Sequence, residues 1–341
     1  MEISLPLLMT VTVAVILFNC IGLFGNINVI VATLRNRELR TKAGSLMAIL
    51  CSFQSMCLIS ELINIDAYWK RIAMEQAECF RLLFLHLFFG SAQSLMYFMM
   101  ALDMLLAIGI PIRHKVWPKI TYVIMMCVPP ILFAFIACVI SYSSTERGTP
   151  KICGPQANRE LTPRKASFLR TVAATAHGVA TLSMFFLMAA NTAAVVMVII
   201  VVVITRRREK QLSGSRHRKS TTSTSSFSNN KMLQTVSFMV AVFVCTWYLC
   251  ILSIFIALKL DLQDNYMYYV MTFTTILAYI AYSQNFYVLW LHNPRYRRTF
   301  SEQMKWLNPW RHIRQSGRIT ADDSKNSPQT TCGDDRINNS K

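Results

Sequence analysis

Charge is scarce in this sequence. Only 15% of its 341 residues are charged, where a soluble domain carries about 25%. Acidic residues are scarcer still, 17 against 35 lysines and arginines, which leaves a net charge of +18. An excess of that sign often marks a nucleic-acid binder. Its placement argues otherwise, because the basic residues sit in loops and the tail. Also missing are a phosphate-cradling glycine loop, a metal-ligand cluster and a nucleophile constellation, so an enzyme and a bound cofactor are not expected. No internal repeat or paired set of broken helices is apparent, which counts against a transporter or channel.

What is present is apolar: 53% of the residues are hydrophobic. Seven long stretches carry them, at about 5–34, 43–65, 80–112, 120–141, 171–204, 232–260 and 266–291. About 20 apolar residues in a helix span about 30 Å of hydrocarbon, so each is long enough to cross a bilayer. The expected fold is an all-α seven-transmembrane bundle. The third and fifth stretches exceed the minimum, which permits tilt or protrusion. The fourth contains Pro129 and Pro130, a pair expected to kink it. The first has no charged stretch before it and is too long for a signal-peptide core, so it reads as a retained signal anchor.

Orientation follows from the basic residues. Four lie in Arg35–Lys42, three in Arg113–Lys119, eight in Arg206–Lys231 and ten after Leu291. Placing these on the inside puts the amino terminus outside. The inner loop opens with Arg206, Arg207 and Arg208 and continues into the hydroxyl run Ser220–Ser226. It reads either as a kinase-regulated surface or as a solvated linker. Residues 295–307 set Phe300, Met304 and Trp306 at an amphipathic spacing, which suggests a short helix on the inner leaflet. A receptor domain is thus expected over 1–307, and a disordered cytoplasmic tail over 308–341.

Of ten cysteines, Cys79 and Cys153 alone fall on the outer side. A disulfide between them is the economical reading, since that compartment is oxidising. Single polar residues stand inside several apolar stretches: Asn26 in the first, Gln54 in the second, Asn285 in the seventh, with Gln284 beside it. Alone, each is interhelical hydrogen-bond glue. Three on different helices suggest one internal polar cluster. Asp103, at the inner end of the third stretch, is costly there unless it meets water or a partner.

These segments resemble rhodopsin-type G protein-coupled receptors, and more closely the nematode serpentine chemoreceptors of the SX class. The resemblance is carried by Gly25-Asn26, Glu78-Cys79-Phe80, Ala101-Leu102-Asp103, Leu105-Leu106-Ala107, Pro111-Ile112-Arg113, Trp247, the run Tyr282–Tyr287, and Tyr296-Arg297. It covers about residues 5–305. It implies a plasma-membrane receptor that binds an unidentified outer ligand and signals to a heterotrimeric G protein. Cilia of sensory neurons are one candidate location. Asp103, Met104, Pro111, Arg113, Arg206, Arg207, Arg208, Trp247 and Asn285 fall where such receptors couple and activate.

The departures are specific. Met104 stands where the family has an arginine, which removes a charge-assisted donor and leaves Asp103 without its usual partner. Gln54 replaces a sodium-binding aspartate, so no sodium site is expected. Leu249, Phe286 and Leu289 replace the family's sixth-helix proline and its seventh-helix proline and tyrosine. By resemblance the ligand enters among spans three, five, six and seven. The residues expected there are His86, Trp247 as a floor, Tyr248, Cys250, Thr275 and Tyr279. The plainer alternative for His86 is a structural bond to a neighbouring helix, and for Trp247 ordinary packing. A retinal Schiff base would need a lysine in the seventh span, which contains none, so an opsin reading is poor. A non-signalling partner or decoy for another receptor remains the main alternative function. Ligand identity is not legible.

Overall fold

The computed structural model describes residues 5–69, 73–74, 76–143, 151–152, 186–207, 224–260 and 264–306. In hydrocarbon no water is available to backbone N–H and C=O groups, so an apolar run must satisfy them internally as a helix. The long helices are α1 (Leu5–Arg35), α2 (Lys42–Trp69), α3 (Gln76–Gly109), α5 (Lys119–Ser143), α6 (Phe186–Arg207), α7 (Thr224–Lys259) and α8 (Asp264–His292). Two shorter helices lie at the inner side, α4 (Pro111–Val116) and α9 (Pro294–Trp306).

Among the described residues, α1, α2, α3, α5 and α6 are apolar enough to cross a membrane by composition alone. In α7 the apolar part is the shorter segment Thr235–Cys250. α8 is diluted by polar residues, but Ser283, Gln284 and Asn285 are buried. Turned toward protein, such groups lower a helix's hydropathy without meeting lipid. All seven long helices belong to one transmembrane bundle with its amino terminus outside. Its lipid face is plain on α5, where Ile124, Val128, Ile131, Phe135 and Val139 are exposed.

α1 packs on α2 and α8, α2 on α3, α3 on α5, and α7 on α8. α6 meets α5 through stacked Phe133 and Phe186, and α7 through Tyr248, whose hydroxyl donates to the Met188 carbonyl at 3.3 Å. Glycine sets how closely α1 approaches. A Cβ on Gly22 would sit 2.7 Å from Leu58 Cδ1, and one on Gly25 would sit 2.8 Å from Phe286 Cβ. Small residues at membrane helix crossings let backbones close in this way.

Two inner boundaries that bear on the site differ from those expected from hydropathy. The third span is not continuous to Ile112: α3 ends at Gly109, and Pro111 starts α4. Proline fits a first helical turn because its missing N–H would be unpaired there. α7 starts at Thr224, so Thr224, Ser225 and Ser226 of the hydroxyl run lie on its first turn. α5 runs as one helix through Pro129 and Pro130. A two-residue antiparallel ladder, β1 (Ala73–Met74) with β2 (Lys151–Ile152), ties the α2–α3 connection to the long outer loop. Cys153 follows β2 and lies outside the described residues, as does any bond from it to Cys79.

At the inner end, Asn293 caps α9. Its Oδ1 accepts from Arg295 N at 3.1 Å and Tyr296 N at 3.4 Å, with Pro294 at the first helical position. Phe300 and Tyr296 are fully buried beneath the helix, and Phe300 lies against Phe286 at 4.6 Å and Trp290 at 6.1 Å. Met304, expected on the same apolar face, is exposed. The Tyr296 hydroxyl meets Thr33 Oγ1 at 3.3 Å, and Asn36 Nδ2 donates to Thr299 Oγ1 at 3.1 Å, so α9 is tied to α1 and the turn after it.

Candidate functional site

The bundle interior holds a hydrogen-bonded set at mid-depth. Asn285 Nδ2 of α8 donates to Gln54 Oε1 of α2 at 2.6 Å. Gln54 Nε2 in turn donates to the Tyr97 hydroxyl of α3 at 2.9 Å. That hydroxyl donates to Asn285 Oδ1 at 3.3 Å and accepts from Gln284 Nε2 at 3.4 Å. Gln284 Nε2 also reaches the Met239 carbonyl of α7 at 3.3 Å. Four helices are thereby joined through amides and one phenol, with no charged group among them. Of the three residues expected to cluster, Gln54 and Asn285 meet. Asn26 instead donates to the main-chain carbonyl of Tyr282 at 3.0 Å. Tyr97, at the centre, carries no motif and was not singled out by sequence.

An aromatic stack runs outward from that centre. Tyr97 stacks on Phe243 of α7 with ring centroids 3.8 Å apart, and Phe243 on Trp247 at 5.9 Å. The spacing of four residues puts Phe243 and Trp247 on one helix face. Trp247 Nε1 is buried with no hydrogen-bond partner among the described residues.

Above this layer the expected pocket residues divide. His86 turns to α2, where its Nδ1 stands 2.9 Å from Glu61 Oε1. Tyr248 turns to α6 and meets Thr192 Oγ1. Cys250 donates to the Thr274 carbonyl at 3.5 Å and so faces α8. Tyr279 is buried on α8 and stacks against Phe18 of α1 at 6.4 Å, while Thr275 lies half-buried one turn away. His86 and Tyr248 therefore serve opposite sides of the bundle. Glu61 had no place in the sequence-level expectation. The available signal was its spacing: seven residues from Gln54, it falls on the same helix face two turns outward.

At the inner end Asp103 is nearly buried, yet well held. Tyr122 of α5 donates to its Oδ1 at 2.7 Å, and His114 Nε2 of α4 lies 2.9 Å from the same oxygen. Lys42 of α2 reaches the His114 carbonyl and lies 4.8 Å from the centre of the Tyr122 ring. The absent arginine therefore does not leave Asp103 bare, because α4 and α5 supply other partners and Lys42 of α2 braces both of them. Met104 is buried against α7, where Ser237 Oγ approaches its sulfur at 3.9 Å. Arg113 and the α6 residues Arg206 and Arg207 are exposed on the inner face, Pro111 begins α4, and Arg208 lies outside the described residues.

A family model described as serpentine type 7TM GPCR chemoreceptor Srsx matches residues 19–304. That span holds the mid-depth network, the aromatic stack and the Asp103 cluster. No curated protein matches the chain.

Proposed function

The chain belongs to the Srsx family of serpentine seven-transmembrane chemoreceptors, and from that premise we propose that it is a ligand-activated receptor coupled to a heterotrimeric G protein. The observation that carries this reading is the continuous path from Trp247 through Phe243 and Tyr97 to Gln54 and Asn285. A small molecule or peptide arriving from outside engages the layer of His86, Trp247 and Tyr279. By preferring one packing of the stack it shifts the population of helix arrangements. The shift passes along α7 to the inner face, where α4 with Arg113 and the ends of α6 with Arg206 and Arg207 meet the G protein. Asp103 is the inner hinge point, held through His114 and Tyr122 rather than through a neighbouring arginine. Coupling runs through these inner segments, and the plasma membrane of ciliated sensory cells is the site of action.

A second reading has Met104 in its favour. A thioether cannot supply the charged donor that the wider receptor class offers at this position, which suits a non-signalling partner or decoy. G protein recruitment in cells, followed by energy transfer while cues are screened, separates the two. Recruitment on stimulation supports the receptor reading. Surface expression with ligand binding and no recruitment of any G protein class supports the decoy.

A further inference from the structure

Among the described residues, two carboxylates lie inside the apolar spans, Glu61 within 42–63 and Asp103 within 83–109. Asp103 belongs to the inner cluster. Glu61 stands in the outer half of α2, where an ion is expensive unless it serves a purpose. Its partner is His86 of α3, at 2.9 Å, and the two side chains remain about a quarter exposed, 23% and 25%. A histidine is a conditional cation, since an imidazole can release its proton and remain a stable neutral neighbour. Glu61 is thus a carboxylate whose counter-ion can be replaced without leaving a bare charge behind.

The walls around it are aromatic and polar. Tyr282 lies edge-on to His86 with ring centroids 6.3 Å apart. The Tyr279 and Tyr282 hydroxyls are both within electrostatic reach of Glu61. Tyr279 is buried, with its hydroxyl turned to the Asn19 side chain of α1. Gln93 is fully buried two turns inward of His86 on the same face of α3 and turns to the Tyr282 hydroxyl. Asn19 is likewise buried, and its Nδ2 donates to the Val15 carbonyl at 3.0 Å. A polar lining of this kind inside a membrane bundle marks a functional position. Here it surrounds one replaceable ion pair.

We propose that Glu61 is the anchor for a protonated amine, and that the ligand of this receptor is a small organic ammonium compound. The ammonium takes the place of His86 beside Glu61, against the faces of Tyr279 and Tyr282, which favour a cation through their ring quadrupoles. Gln93 and Asn19 supply hydrogen bonds to polar groups on the ligand. The inference rests on the outer-half ligand site proposed above. It moves the anchor to α2, α3 and α8, on the side of the bundle away from Tyr248.

The test is thermal unfolding of the full chain purified in detergent, which needs no G protein. Phenethylamine and isoamylamine are compared with phenethyl alcohol and isoamyl alcohol, their uncharged counterparts. At least one amine is expected to raise Tm in a saturable way, and the alcohols are not. Glu61→Gln is expected to weaken half-saturation by about tenfold or more, as loss of a charge-assisted contact does, and Glu61→Asp to retain part of the binding. The ligand-free Tm of each variant reports whether it folds. No shift with any amine, equal shifts with the alcohols, or undiminished binding by a folded Glu61→Gln overturns the proposal. Amine binding without G protein recruitment in cells leaves the anchor standing and overturns the signalling reading instead.

Discussion

Asn285 and Gln54, 231 residues apart, share the shortest hydrogen bond of the mid-depth network, 2.6 Å from Asn285 Nδ2 to Gln54 Oε1. The bond uses the amide oxygen of Gln54, while its nitrogen is engaged by Tyr97. Neither side chain brings a formal charge. A neutral, internally satisfied pair has no carboxylate to offer a monovalent cation.

Sodium should therefore be without effect on this receptor. Thermal unfolding in equal concentrations of sodium and potassium chloride is expected to give the same Tm, apart from general salt effects. Gln54→Asp restores a carboxylate and should make Tm depend on sodium. A sodium-specific shift in the native protein would contradict the neutral network.

Close approach of α1 makes Gly25 intolerant of a side chain. Gly25→Ala places a Cβ only 2.8 Å from Phe286 Cβ, inside van der Waals contact, and both groups are held by helix backbones. Overpacking of this kind costs about 1–3 kcal/mol, and lower surface expression and Tm should follow. Gly90→Ala is the control, since nothing lies within 4 Å of its added carbon. It should be neutral or slightly stabilising, by up to about 1 kcal/mol from helix propensity.

Loosening Asp103 should raise ligand-independent signalling. Tyr122→Phe removes the 2.7 Å bond to Asp103 Oδ1, a hydrogen bond to a charged group worth about 1.5–3 kcal/mol. Basal G protein recruitment at matched surface expression should rise several-fold, and His114→Ala should act in the same direction. Unchanged basal recruitment in both variants would mean that the cluster is structural only.

α9 should stay docked in alkaline solution. Burial pushes the Tyr296 hydroxyl up to about 12 from its ordinary value of 10.0. The folded state therefore holds that proton more tightly than the undocked chain does. The stabilisation is complete below about pH 10 and is lost as pH rises toward 12. Hydrogen exchange across α9 should be flat up to about pH 10 after correction for the intrinsic rate, then increase. Phe300→Ala should expose α9 at every pH, because it removes the ring seated on Phe286 and Trp290.

Long apolar runs made the seven spans and their direction legible, because bilayer thickness fixes the minimum length and basic loops fix the sense of crossing. The placement of Gln54 and Asn285 in one cluster was legible for a related reason: a polar amide in hydrocarbon must find a partner. What could not be read was rotation. Helices that are apolar nearly all round give little sign of which face turns inward, so Tyr97 and Gln93 passed as ordinary interior residues. Asn26 found a main-chain carbonyl, a partner that no side-chain pattern announces. His114 and Tyr122 reach Asp103 only because the chain breaks at Ile110 and turns back through α4, and the apolar run through Gly109 to Ile112 hides that break. Glu61 and His86 are 25 positions apart on separate helices, and their meeting depends on how α2 and α3 are turned toward each other.

α7 has 36 residues, which at 1.5 Å per residue makes a rod of about 54 Å in a hydrocarbon layer of about 30 Å. From Trp247 to its cytoplasmic end at Thr224 the arm is about 35 Å. A pivot of about 10° at the tryptophan carries that end sideways by about 6 Å, more than one helical turn. On the proposed receptor reading, the early start of α7 at Thr224 is a lever: a sub-ångström adjustment beside the ligand becomes a displacement large enough for another protein to feel.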